Sequence, residues 1–146
     1  MISPEEYKKL SDSAVPPTNE VRNLLGAFTI GGAICTVGQL LINLYKSFGM
    51  GMPAAGTLTT VTLIFISALL TSLGIYDNIA KLGGGGTLVP ITGFANAVVS
   101  PAMEFHSEGF VLGIGVKLFS IAGPVLVYGL SAGIIYGIIY YIIGLF

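Results

Sequence analysis

Glu104, His106 and Glu108 fall within five residues of one another, two acids and the chain's single histidine, groups able to hold a metal or move a proton. On a helix, positions 104 and 108 share a face and 106 points away from it, so the three do not converge as ligands. Calcium would need about six to eight oxygen donors, more than two carboxylates supply. His106 is the single histidine, and without a nucleophile and an orienting partner it makes no catalytic constellation. No enzymatic activity, no cofactor and no metal site is therefore expected. The better reading is a solvated turn, with Glu108 favouring the N-terminus of the helix that follows. Cys35, the lone cysteine, leaves no intrachain disulfide and no cysteine-based metal site. A small buried side chain is expected there.

The other polar groups lie within apolar sequence, where each needs a reason. Gln39 and Asn43 are four apart and share a helix face, which must meet a neighbouring helix or a pore rather than lipid. Hydrogen bonding between helices is the favoured of the two. Gly83, Gly84, Gly85 and Gly86 cannot form an ordinary membrane helix. With Pro90 and Asn96 they interrupt a run that ends at Glu104. Non-helical backbone at membrane depth is tolerated only where protein buries it or where it lines a watery cavity. Such breaks can turn free N–H groups towards an anion. Lys117 reads first as a snorkelling interface residue and second as a cation facing an anion in a pore. The candidate path residues are therefore Gln39, Gly83, Gly84, Gly85, Gly86, Pro90, Asn96, Glu104 and Lys117.

The elements that position these groups follow from length and charge. The chain has 146 residues, 53% hydrophobic and 9% charged, where a soluble domain carries roughly 25% charged residues. Six of the thirteen charges fall in the first twenty residues, and stretches 23–45, 47–76, 82–103 and 118–146 carry none. Each is as long as the ~20 residues a helix needs to cross a bilayer. The sequence is that of an all-α integral membrane protein, with a polar cytosolic tail over 1–20 and a polytopic membrane domain over 21–146. A formal net charge of −1 without a basic patch gives no footprint for nucleic acid.

About four membrane segments are expected, one of them re-entrant or broken. Ser3-Pro4-Glu5-Glu6 opens a short helix, with Pro at N1 and acids in the first turn. Pro16-Pro17 separates it from a first span over about Leu24–Tyr45. A turn-rich stretch from Ser47 to Gly56 precedes a second span over about Thr57–Tyr76. Thr57, Thr59, Thr60 and Thr62 can bond back to helix carbonyls. Tyr45 and Tyr76 are placed at interface depth, and Asp77 and Lys81 at the spacing of a modest ion pair. The segment 82–108 is either re-entrant or one kinked span from Leu88 to Met103; the latter is short for a crossing, so re-entry is preferred. After Gly109 a short segment to about Lys117 precedes a long span from Leu118, kinked near Pro124. In that span Gly129, Gly133 and Gly137 make a flat seam for another helix. Lys8, Lys9, Arg22 and Lys81 against Lys46 favour a cytosolic N-terminus.

Gly31-Gly32-Ala33-Ile34-Cys35-Thr36-Val37-Gly38-Gln39 and Gly74-Ile75-Tyr76-Asp77 resemble the SpoVAC/SpoVAEB sporulation membrane proteins. So does Val89-Pro90-Ile91-Thr92-Gly93-Phe94-Ala95-Asn96, followed by Glu104 and Ser107-Glu108-Gly109-Phe110. The likeness covers roughly 22–130 and is most specific over 83–110; the polar leader and the Gly-Phe-Ala-Asn wording are nearer the AC type. The resemblance implies a channel subunit moving dipicolinic acid, with calcium, across the spore inner membrane during sporulation and germination. It also implies mechanosensitivity for the AC type, and assembly with other SpoVA membrane subunits and a soluble SpoVA partner. The alternative is a non-conducting scaffold. A glycine seam would serve a scaffold, which has no need of a glycine-interrupted segment with buried polar groups.

Overall fold

A computed structural model describes residues 3–14 and 19–145, and all of their regular structure is helical. The expected Pro16-Pro17 break lies outside the described residues. Helix α1 spans Pro4–Ala14. It opens on a reciprocal cap: the Ser3 N–H donates to Glu6 Oε2 at 3.0 Å and the Glu6 N–H to Ser3 Oγ at 3.2 Å. The Ser3 N–H, then its hydroxyl, hold the Glu6 carboxyl below the usual carboxylate range.

Helix α2 runs Glu20–Ser47 and α3 runs Met52–Ser72. The second helix starts five residues earlier than the glycines suggest, because Pro53 sits in its first turn, where its missing N–H costs nothing. Both helices end in the same way. Gly49 and Gly74 take positive φ of 86° and 68°. The N–H of each glycine, and of the residue after it, returns to carbonyls of the last turn. That cap, rather than an interface tyrosine, fixes where the second span stops.

Short helices α4 (Tyr76–Gly83) and α5 (Gly85–Leu88) follow, then α6 (Ile91–Glu104). Ser67 pairs with Thr92 and Thr71 with Asn96. Both helices thus advance four residues in the same direction, so α6 runs parallel to α3. Thr92 is level with Ser67, five residues before the end of α3 and about 7.5 Å from it at helical rise. From there α6 returns towards the end it came from. Residues 76–104 therefore enter and leave at one end of the bundle. The 14 residues of α6, about 21 Å long, do not make a crossing of a ~30 Å hydrocarbon core. The segment is re-entrant.

A 3₁₀ turn at His106–Glu108 leads into a π-helical turn at Phe110–Gly115, which continues as α7 over Val116–Ile143. The break expected near Lys117 lies instead at Gly109. A Cβ on Gly113 would strike the Phe105 carbonyl oxygen, so the returning chain packs directly on the turn before it. Pro124 lies inside α7 and withholds an N–H from the Ser120 carbonyl.

Among the described residues three stretches, Glu20–Ser47, Met52–Ser72 and Phe110–Ile143, are long and apolar enough to cross a membrane. Both α2 and α7 start from the same end of the bundle, so the start of α2 and the end of α7 lie on opposite faces. The interior is made of small residues: Gly38, Ala55, Ser67, Gly93, Ala95 and Ala102 are buried, and Tyr76 is the one large buried side chain among the described residues. Phe28, Phe65, Phe119 and Tyr128 are exposed. Small residues inside and large apolar ones outside is the arrangement of helices packed in lipid.

Candidate functional site

Helix α6 lies in its most extensive contact against α3, and the seam between them is polar. Ser67, fully buried, donates to the Thr92 carbonyl at 2.6 Å. The Thr71 hydroxyl lies 2.7 Å from the Ser67 carbonyl and 2.8 Å from Asn96 Oδ1. One hydroxyl hydrogen cannot serve both acceptors. If it bonds the Ser67 carbonyl, the Asn96 amide is turned so that its NH₂ donates to Thr71, a choice set by the network rather than by atom positions. Tyr76 is 3% exposed. Its hydroxyl donates to Thr92 Oγ1 at 3.0 Å, with the Thr87 carbonyl at 3.3 Å as the other acceptor. Tyr76 is thus buried within the re-entrant segment rather than placed at an interface.

The glycine run serves two purposes. Gly83 lies against α2, where an added Cβ would come 2.9 Å from Ile30 Cγ2. Gly86 lies closer still, in backbone contact with Ala27. These two let α4 and α5 seat on the first third of α2. Gly84 and Gly85 have nothing within 4 Å of a built Cβ and face open space. Pro90 is the residue before α6, and Leu88 and Val89 at the turn of the segment are strongly exposed.

Gln39 Nε2 donates to Asn43 Oδ1 at 3.0 Å, and both side chains are exposed on α2. Among the described residues they bond each other and no neighbouring helix. Glu104 is exposed at the end of α6. His106 Nδ1 lies 2.7 Å from the Met103 carbonyl, and the ring is exposed. Lys117 places its ammonium 3.6 Å from the centroid of the Phe105 ring, a cation–π contact at the turn between α6 and α7. Gln39, Lys117 and the re-entrant seam therefore occupy separate places. Gly129, Gly133 and Gly137 have no heavy atom within 4 Å of a built Cβ; their seam is unoccupied among the described residues. Cys35 is exposed, not buried, and Asp77 and Lys81 form no ion pair among the described residues.

Sequence reasoning missed Ser67, Thr71, Tyr76, Thr87 and Thr92 as a group. A signal existed: Ser67 and Thr71, like Thr92 and Asn96, are four apart, so two equal spacings could have been matched. It also misplaced Thr59. Thr57, Thr60 and Thr62 do bond back to carbonyls four residues earlier. Thr59 does not; its hydroxyl is buried without a partner. Tyr45 in turn bonds Thr62 at 2.7 Å, tying α2 to α3.

A polytopic helical membrane protein with a re-entrant segment and a polar helix seam is the class these features define. The chain belongs to the SpoVAC/SpoVAEB sporulation membrane protein family, which matches residues 23–139. It is 46% identical over 136 residues to stage V sporulation protein AC of Bacillus subtilis (strain 168), covering 92% of this chain and 91% of that protein. No solved structure matches it.

Proposed function

We propose that this sporulation membrane protein is a channel subunit through which dipicolinic acid, with calcium, crosses the spore inner membrane during sporulation and germination. The observation that carries the reading is the re-entrant segment, which brings hydroxyl and amide groups of Ser67, Thr71, Tyr76, Thr92 and Asn96 together among membrane-length helices. A dianionic solute needs polar partners where lipid offers none, and hydroxyls that share acceptors can exchange them at small cost. Gly84 and Gly85, in the same re-entrant segment, face open space. Three crossing helices are too few to enclose a pore, so other SpoVA membrane subunits and a soluble SpoVA partner would complete it. The unoccupied Gly129, Gly133 and Gly137 seam on α7 suits a helix of such a subunit.

Orientation follows from charge. Arg22, Lys81 and Lys117 lie at the end where α2 and α7 begin, with Lys8 and Lys9 preceding α2 in sequence, against Lys46 at the other end. The positive-inside bias supports a cytosolic location for that end and for the N-terminus.

One observation favours a second reading, a non-conducting scaffold: the seam is closed, its hydroxyls bonded to each other and Gly86 in contact with Ala27. Liposomes loaded with calcium dipicolinate separate the two, assayed at rest and under hypo-osmotic shock. Release by this chain alone under tension supports a self-sufficient mechanosensitive channel. Release only after a paralogous membrane subunit is added supports one wall of a shared pore. No release in either case leaves the scaffold.

A further inference from the structure

A cleft of about 630 Å³ opens where the first turns of α2 meet the end of α4. Arg22 and Asn23 line it from α2, and Lys81 from α4, above apolar walls of Leu25, Ile30 and Leu82. No carboxylate lines it, and neither Arg22 nor Lys81 forms an ion pair among the described residues. The two cations are brought together by the fold rather than by sequence. A Cβ on Gly26 would strike the Leu82 carbonyl oxygen, so α4 crosses α2 in backbone contact and carries Lys81 to the Arg22 side.

We infer that this cleft binds the phosphate of an anionic phospholipid. Arg22 stands immediately before the apolar run of α2, at the level where a bilayer presents its headgroups. A guanidinium and an ammonium from separate elements suit a phosphate, the first by its paired N–H groups and the second as a point charge. Asn23 adds a polar side chain. The apolar walls distinguish a lipid from a free anion: Leu25 and Leu82 are largely exposed and continue into the lipid-facing surface, so an acyl chain can follow the headgroup out of the cleft. The inference does not depend on the chain conducting anything, since the cleft lies at the α2–α4 junction and not in the α3–α6 seam.

The test is native mass spectrometry of the detergent-purified protein with phosphatidylglycerol and chain-matched phosphatidylcholine. The wild type should retain phosphatidylglycerol preferentially. Arg22→Gln with Lys81→Gln should weaken that retention by roughly tenfold, the effect of two partly exposed charge contacts. Arg22→Lys should keep most of it. Lys46→Gln, at the far end of α2, should leave it unchanged and controls for general loss of charge. Equal retention of the two lipids, or a loss with Lys46→Gln as large as with the double change, overturns the inference. Free glycerol phosphate that binds as well as the lipid overturns the assignment to a phospholipid and makes the cleft a soluble-phosphate site. Circular dichroism of the double variant reports folding, and Lys81→Gln alone, on the exposed face of α4, provides a milder variant with a smaller loss in the same direction.

Discussion

Replacing Gly86 by alanine would test how the re-entrant segment is held. A Cβ there would lie 2.7 Å from the Ala27 carbonyl carbon and 2.8 Å from Ala27 Cα, with the carbonyl oxygen closer still. Ordinary contact begins at 3.4 Å, so α5 and α2 must separate by at least 0.7 Å to clear the carbonyl carbon, the difference between 3.4 and 2.7, and by more to clear the oxygen. Neither side can yield by rotating a side chain, because the obstructing atoms are backbone. Overpacking of this kind costs about 1–3 kcal/mol. Alanine also gains up to about 1 kcal/mol of helix propensity over glycine, which would mask part of the loss. Gly85→Ala removes that ambiguity. Gly85 lies in the same short helix, and nothing is within 4 Å of its Cβ. The propensity gain is common to both variants, so their difference isolates the contact. Reversible unfolding in mixed micelles should find Gly86→Ala less stable than Gly85→Ala by about 1–3 kcal/mol. Equal stabilities would refute the claim that Gly86 is glycine because α2 lies against it.

Three shorter predictions follow from the same packing. Tyr76→Phe deletes a buried hydroxyl that bonds Thr92 and should cost about 1–2 kcal/mol in the same unfolding assay; no loss would mean the seam is not held through Tyr76. Thr59→Val should be neutral or stabilise by about 1 kcal/mol, since it removes a buried hydroxyl with no partner; a clear loss of stability would contradict that account. In a Cys35→Ser background, single cysteines at Ser11 and Ser107 should react with a membrane-impermeant reagent from one side and a cysteine at Leu145 from the other. Labelling of all three from one side would overturn the three-crossing topology.

Much of the fold was legible because lipid imposes a coarse and strict rule. Four charge-free stretches announced membrane segments, and the shortness of 88–103 together with Pro90 announced re-entry. The boundaries were less legible where a glycine has two possible effects. Gly51 and Gly56 read as breakers, yet Pro53 lets α3 start between them; Gly74 ends the same helix two residues before the tyrosine that hydropathy would choose. The polar seam was the least legible part. Asn96 stood out as an amide in apolar sequence, whereas Ser67, Thr71 and Thr92 are ordinary in membrane helices, where such hydroxyls usually bond their own helix. What distinguishes them is the register of α6 against α3, a tertiary fact. Lys117 likewise was visible as a charge, but its seat over Phe105 depends on the turn at Gly109.

That register also bears on how the segment could move. Two of the hydroxyls packed against α6 have a second acceptor within reach: Thr71 of α3 lies between the Ser67 carbonyl and Asn96, and Tyr76 of α4 between Thr92 and the Thr87 carbonyl. A helix shifting by a fraction of an ångström can change partners without leaving a buried group unbonded. The contact of Gly86 with α2 is of the opposite kind, since its backbone meets the Ala27 backbone with no side chain between them to absorb a shift. Movement of α6 along α3 is therefore cheaper than movement of α5 away from α2. If the segment opens a path, the geometry favours sliding at Thr71 and Asn96 over lifting at the glycines. A Thr71→Val, Asn96→Leu pair, which keeps the shape of the seam but removes its exchangeable bonds, should then reduce dipicolinate release more than it changes stability. Full release from that variant would show that the seam is structural and that any path lies elsewhere.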